Sequence, residues 1–360
     1  MGTLPDFQSL RESGARVFVV AEAGVNHEGE LDKAIEMIER AAVSGIDAVK
    51  FQAYKADRLA TRSSKSYWDE TQEPTRSQYE LFTKYDSFEP EDYRALEEAC
   101  RQHGLLFLTT PFDIDVVDML DPLQSFWKVA SGDLTNVPLL DRVGASRKPV
   151  LLSTGASTID EIREAEARLT RAGAPAVALL HCTLSYPTRP QDAAIGSISD
   201  LAAAFPENVL GYSDHTVPPV SFQAIEAAVV LGARVVEKHY TLDKSLPGND
   251  HYHAFQPEEF AELRERLDLL SELLGSAKKV VLPVEEAARI GARRSVVSRG
   301  AIPRGSVISR AMLDVKRPGG GIEPRFLDDL VGRRALHDIA DDTTLTWEML
   351  TTDSVAHGVG

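Results

Sequence analysis

At 360 residues, 43% of them hydrophobic and 26% charged, the chain has the make-up of a soluble globular protein longer than one ordinary domain. Its formal net charge of −16 argues against general nucleic-acid binding, which needs a basic face. No apolar run approaches the ~18–20 residues of a membrane span, residues 1–14 contain no apolar signal-peptide core, and only two cysteines, Cys100 and Cys182, fit a reducing cytosol, so a cytoplasmic location is expected.

Eight short apolar runs occupy positions 17–21, 48–51, 105–108, 126–130, 150–152, 177–180, 209–212 and 235–236, the last continuing through 237–240. Most lead into helical periodicity, at 31–43, 93–100, 159–169, 222–231 and 260–274, and Thr158 with Glu161 offers a capping box. Continuous rather than alternating apolar runs mark strands buried on both faces. Eight such units predict an α/β fold, a (β/α)8 TIM barrel. The weakest unit lies at 115–123, where a short helix meets Pro122.

The connection at 55–90 is unusually long and reads as a lid over the C-terminal mouth, with 78–83 as a helical turn; a surface embellishment is the alternative. The expected organisation is a barrel over 1–275, a linker at 276–294, a small β-rich domain over 295–352 and a tail at 353–360. Charge supports that division. From Arg294 onward nine Lys+Arg balance nine Asp+Glu, so the whole net charge sits on the body.

Each run ends in polar residues that a barrel would gather at one mouth: Glu22 and His27; Lys50 and Gln52; Thr110 and Asp113; Lys128, Ser131, Asp133 and Asn136; Ser153 and Thr154; His181 and Tyr186; Ser213, Asp214 and His215; Glu237 and His239. Lys50 and Lys128, inside apolar strands, are costly to bury unless paired with an anion. With Ser131, Ser153, Thr154 and Ser213 they would hold a phosphate and a carboxylate. Two other readings stay open: neighbouring carboxylates as their partners, or a Schiff-base lysine. A lone histidine at a strand end is more often structural, yet His215 and His239 end adjacent strands beside Glu237 and Asp250, which favours a shared divalent ion. His251 and His253, in the loop beyond, rank lower as ligands. Glu22, Glu237 and Asp250 are candidate acid/base groups or sugar-hydroxyl acceptors. The glycines at 319–321 do not follow a strand into a helix and form no dinucleotide loop.

The motifs Glu22-Ala23-Gly24-Val25-Asn26-His27-Glu28-Gly29, Val49-Lys50-Phe51-Gln52, Lys128-Val129-Ala130-Ser131-Gly132, Gly211-Tyr212-Ser213-Asp214-His215-Thr216, Glu237-Lys238-His239 and Val315-Lys316-Arg317-Pro318-Gly319 occur in one order. In these the chain resembles the sialic acid synthases, the N-acylneuraminate synthases and their pseudaminic and legionaminic relatives, over nearly its whole length. The C-terminal part resembles their antifreeze-like SAF domain. The resemblance implies metal-dependent condensation of phosphoenolpyruvate with an open-chain N-acyl amino sugar, N-acetylmannosamine or a related hexose, giving a nine-carbon 2-keto-3-deoxy acid and phosphate. It implies that Lys50, Gln52, Thr110, Lys128, Ser131, Ser153 and Ser213 bind phosphoenolpyruvate. His215 and His239 would hold Mn²⁺, with Mg²⁺ or Co²⁺ as substitutes. Asp133, Tyr186, Asp250 and Arg317 would meet the sugar, Arg317 arriving from the partner in a domain-swapped homodimer. Asp133 stands where sialic acid synthases commonly carry Glu, and Leu184 where many carry Asn or Ser, which bears on the sugar rather than the reaction. The competing readings are a synthase for a sugar 6-phosphate or for a pseudaminic or legionaminic precursor, a Schiff-base aldolase, and a non-enzymatic carbohydrate-binding protein. The last has no use for two lysines, two histidines and Glu22 together.

Overall fold

A computed structural model describes residues 9–11, 16–68, 70–71, 73–248 and 250–352. Residues 1–8 and 12–15 of the expected barrel, Asn249 and the 353–360 tail lie outside the described residues. The chain forms two compact units, Met1–Ala277 and Lys278–Gly360.

In the first unit the eight apolar runs become eight parallel strands: β1 (Phe18–Gly24), β2 (Ala48–Ala53), β3 (Leu106–Pro111), β4 (Trp127–Val129), β5 (Val150–Ser153), β6 (Val177–His181), β7 (Val209–Asp214) and β8 (Val235–His239). Their order, β3-β2-β1-β8-β7-β6-β5-β4, nearly closes the expected barrel. The seam falls between β3 and the three-residue β4, where the Thr109 backbone N–H donates to Gln124 Oε1 at 3.0 Å, a side chain standing in for a ladder partner.

Strand alternation sorts the side chains into two layers. Phe18, Val20, Ala48, Leu106, Leu108, Phe126, Leu151, Leu180 and Val235 fill the barrel interior. Their outward neighbours, such as Val19, Val49, Phe51 and Val236, pack in the larger core with the helices. Two residues further along the interior-facing rows stand Glu22, Lys50, Thr110, Lys128, Ser153, Ser213 and Glu237. The apolar plug is therefore the floor of a polar layer, and each Leu or Phe in it contributes about 1.5–3 kcal/mol by burial.

The helices follow the same arithmetic. Leu31–Ala42 buries Ala34, Met37, Ile38 and Ala41 along one stripe. Ile159–Ala172 starts at the predicted capping box, with Thr158 Oγ1 accepting from the Glu161 N–H at 3.3 Å and the Thr158 N–H donating to Glu161 Oε2 at 2.7 Å. The weak unit is a seven-residue helix, Ile114–Leu120, that tightens into a 3-10 turn at Asp121–Leu123, which contains Pro122.

The long connection folds as short helices at Ala56–Leu59 and Gln78–Thr83, the second matching the predicted turn. Trp68 is its buried anchor, donating Nε1–H to the Glu73 and Thr75 carbonyls at 3.1 Å each. In the second unit, β9 (Ser295–Ser298) and β10 (Leu313–Lys316) pair antiparallel over a core that includes Val296, Ile302, Ile308, Leu313 and Leu345. Among the described residues no helix is long and apolar enough to cross a membrane.

Candidate active site

The polar layer is a ring of alternating charge. Lys50 Nζ lies 2.5 Å from Glu22 Oε2 and 4.0 Å from Glu237 Oε2, and it donates to Thr110 Oγ1 at 2.9 Å. Lys128 Nζ donates to Ser153 Oγ at 2.7 Å and to the Val129 carbonyl at 3.1 Å, and sits 3.7 Å from Glu237 Oε1. Ser213 Oγ–H donates to Glu237 Oε1 at 3.0 Å, and Gln52 Nε2–H to Glu22 Oε1 at 3.3 Å. All four charged side chains are at most 5% exposed. The reading that gave the lysines carboxylate partners therefore describes the resting ring, two cations against two anions.

Within the ring the carboxyls are not equivalent. Burial, reinforced by Glu237, raises the Glu22 carboxyl despite Lys50 beside it. Burial pushes Glu237 the same way, but Lys128, Lys50 and the Ser213 hydroxyl outweigh it and hold that group below the usual range. Burial lowers the Lys128 ammonium, only partly opposed by Glu237. The two carboxyls are thus moved in opposite directions by one ring of charges.

Gly24 lets this ring form. It has φ +54° at a register shift between β1 and β2, and a Cβ there would meet Glu22 Oε1 and Gln52 Nε2 at 3.4 Å. Gly155 does the same for Ser131: a Cβ would lie 2.9 Å from Ser131 Oγ, which instead accepts the Gly155 N–H at 2.9 Å.

Next to the ring lies an imidazole cluster. His239 and His253 rings are 4.7 Å apart and His215 and His239 rings 5.4 Å, while the Tyr186 ring lies 4.3 Å from His215, tilted by 39°. Asp250 Oδ2 is 3.9 Å from His239 Nδ1, and Asp250 Oδ1 is 3.7 Å from His253 Nε2. Burial holds His215 down to about 4 and His239 well below its ordinary value, so both rings are neutral near pH 7. Burial alone would raise the Asp250 carboxyl, but His239 and His253 outweigh it and keep it ionised.

This donor set fits a divalent ion. His239 Nδ1 and both nitrogens of His253 are buried without a hydrogen bond, and one ligating atom from each of His239, Asp250 and His253 falls within 4.8 Å of the others. His215 Nδ1 must donate to the Thr183 carbonyl at 2.8 Å, since a carbonyl only accepts, which leaves Nε2 as a lone-pair donor. His253, ranked among the loop residues by sequence reasoning, thus stands with His239 and Asp250. It is fully buried, whereas His215 and His239 line the cavity.

That cavity has a volume of about 430 Å³. Of the barrel residues nominated from sequence, Glu22, Lys50, Gln52, Thr110, Lys128, Ser131, Asp133, Ser153, Tyr186, Ser213, His215, Glu237, His239 and Asp250 line it, whereas Thr154 does not. Arg317 does not belong to that unit. It is exposed in the second one, directly after β10, with a cis bond to Pro318.

Other polar residues at the strand ends turn away, contrary to the expectation that all converge. His181 Nε2–H donates to the Ala193 carbonyl at 2.9 Å, Thr154 Oγ1–H to the Leu180 carbonyl at 3.0 Å, and Asp113 caps the Ile114–Leu120 helix. Alternation explains His181 and Asp214, which follow inward-facing neighbours by one position. Sequence reasoning also assigned no role to Lys238. On the outward face between Glu237 and His239, its ammonium pairs with Asp214 at 2.6 Å and donates to the Thr216 carbonyl at 2.6 Å, both acidic and basic side chains being fully buried. The signal was available: a lysine one position out of phase with two inward-facing residues needs an outward partner.

Residues 37–279 match the NeuB family and residues 293–351 the SAF domain. The chain is 37% identical to the N,N'-diacetyllegionaminic acid synthase of Legionella pneumophila, over 94% of this chain and 96% of that protein. It is 33% identical to the human N-acetylneuraminate-9-phosphate synthase, over 92% of each. Among solved structures, an N-acetylneuraminic acid synthetase from Leptospira borgpetersenii in complex with citrate superposes with a TM-score of 0.67 at 31% identity, covering 76% of this chain and 90% of that one.

Proposed function

Because the chain belongs to the NeuB family and ends in a SAF domain, we propose that it condenses phosphoenolpyruvate with an open-chain N-acyl amino sugar, N-acetylmannosamine or a related hexose, to a nine-carbon 2-keto-3-deoxy acid and phosphate. The observation that carries this reading is the buried pair Lys50 and Lys128, surrounded by hydroxyl and amide donors, at the base of a 430 Å³ cavity that also holds the imidazole cluster.

In this reading Lys50, Lys128, Gln52, Thr110, Ser131, Ser153 and Ser213 receive the carboxylate and phosphate of the enolpyruvate, whose negative charges take over from Glu22 and Glu237 as partners of the lysines. His215 and His239 face the cavity and would hold a divalent ion, Mn²⁺ with Mg²⁺ or Co²⁺ as substitutes, with Asp250 beside them and His253 behind. When bound, such an ion supplies Lewis-acid polarisation of the sugar aldehyde. The new bond joins C3 of the enolpyruvate to the aldehyde carbon, water adds at C2, and phosphate leaves with C–O cleavage. Glu22, whose carboxyl burial has raised, moves the proton at that step. Glu237 stays ionised and orients the two ammonium groups, while Asp250 with Asp133 and Tyr186 positions the sugar. Two copies exchange their SAF domains, bringing Arg317 of one copy to the N-acyl group of the sugar in its partner's barrel.

Phosphate release from phosphoenolpyruvate with Mn²⁺ tests the reaction. The expected result is metal-dependent release with at least one of N-acetylmannosamine, its 6-phosphate, mannose and the diacetylated 6-deoxy hexoses. Silence across that panel would overturn the reading. Borohydride trapping with pyruvate tests the aldolase alternative, and an adduct at Lys50 or Lys128 would favour it.

A further inference from the structure

The outer wall of the cavity bears on what the acceptor carries. Lys50 and Lys128 are the cations that line it among the described residues, and both lie in the ring at its base. The barrel-unit positions outside the described residues, 1–8, 12–15, 69, 72 and 249, include no Lys or Arg. Around the mouth the long connection instead presents Leu59, Tyr67, Trp68, Leu81, Phe82 and Tyr85. Asp133 and Asp250 are carboxyls in the same lining.

None of the six cations of that connection lines the cavity, and five are engaged elsewhere, Arg76 among them with Glu70 at 3.2 Å. Lys55 Nζ lies 2.9 Å from Glu89 Oε1 and donates to the Asp86 carbonyl at 2.9 Å. Arg58 pairs with Asp115, and Lys84 with Glu73 at 2.9 Å. The Arg62 guanidinium lies over the Tyr79 ring, 5.6 Å from its centroid. A terminal phosphate on the acceptor would therefore sit against aromatic rings and near carboxylates with no cation from this unit to receive it, an arrangement that burial makes costly. Methyl and acetyl groups would gain from the same wall.

Resting on the reaction proposed above, we propose that the acceptor is an uncharged amino sugar whose apolar substituents, acetamido methyls and a methyl in place of the terminal hydroxymethyl, are read by this wall, and that a phosphorylated acceptor is rejected.

Initial rates of phosphate release by the full-length enzyme with Mn²⁺ test this with N-acetylmannosamine, its 6-phosphate and 2,4-diacetamido-2,4,6-trideoxymannose. The diacetamido sugar should exceed N-acetylmannosamine in kcat/KM by about 10-fold or more, the scale of one well-packed carbon group. The 6-phosphate should fall at least as far below N-acetylmannosamine. A preference for the 6-phosphate, as would follow if Arg317 received it, overturns the proposal and leaves the reaction class standing. So does N-acetylmannosamine equalling the diacetamido sugar. Release with none of the three overturns the reaction class itself. Phe82→Ala supplies a second readout: KM for the diacetamido sugar should rise several-fold more than KM for N-acetylmannosamine, on the order of one buried contact. Equal rises in both would show that Phe82 shapes the fold rather than the choice of sugar, and would count against the wall as the selector.

Discussion

The two halves of the barrel mouth handle charge in opposite ways. On the lysine side, Lys50 and Lys128 already face Glu22 and Glu237, and each also donates to a hydroxyl, Thr110 and Ser153. On the histidine side, three ring nitrogens of His239 and His253 make no hydrogen bond, and burial keeps His215 and His239 unprotonated. The first half is neutral at rest and must exchange partners to take up an anion. The second is short of a cation. The proposed reaction, with an anionic enolpyruvate beside a divalent ion, needs both states at once, and β8 carries a member of each half, Glu237 and His239.

Substitutions separate the two halves. His239→Ala should abolish Mn²⁺ uptake, read by calorimetry, and lower turnover by at least ~10³-fold, matching the several kcal/mol a Lewis acid supplies. Its metal-free stability should change little, because the ring makes no hydrogen bond at Nδ1 to lose. Retained metal binding at near-normal turnover would move the ligand role to His251 or His253.

Lys128→Gln should behave in the reverse manner. It strands the Glu237 carboxylate and should cost about 3 kcal/mol in denaturant unfolding even without ligand. Adding Glu237→Gln should restore much of that stability without restoring turnover. A single variant as stable as the parent would mean that the resting ring is not charge-balanced as described.

A finer contrast lies inside the histidine half. His215→Ala should weaken Mn²⁺ affinity more than His253→Ala, for which the ~10–100-fold loss of a group behind a ligand is expected. The opposite order would place the ion on the buried side, with His253 and Asp250.

A test outside both halves asks whether burial alone keeps an imidazole neutral. His27 is stacked at 4.3 Å on Phe88, accepts the Gly29 N–H at Nδ1, and is held down to about 4 by burial. Between that value and its ordinary 6.5 the unfolded chain takes up a proton that the folded chain refuses. Stability should therefore fall as pH drops below about 6.5 and level off near 4, a loss of about 3 kcal/mol from this residue. His27→Gln should remove that part of the slope in unfolding curves measured from pH 7 to 4.

Most of the fold was legible because apolar runs and helical stripes are local. The eight strands, the Thr158 capping box and the 78–83 turn fall where the sequence predicts them. Three predicted runs end early, since β1, β2 and β7 continue through Glu22, Gln52 and Ser213. The ladder does not end where hydrophobicity ends, because backbone pairing is indifferent to the side chain. What stayed hidden depends on contacts distant in sequence: the grouping of His253 with His239, the aromatic wall beside Asp133 and Asp250, and the engagement of Arg58 with Asp115. The outward turn of His181 needed only the period of a strand.

The Asp214–Lys238 pair has one more consequence. Adjacent strands align Ser213 with Glu237 and Asp214 with Lys238. If β8 slid by one residue, Lys238 would enter the barrel while Glu237 and His239 turned into the helix layer. Such a slip would leave Asp214 as a buried, uncompensated charge, so the misaligned chain is penalised before any substrate arrives. The pair works as a key cut for one alignment, and the site is assembled only when that key fits.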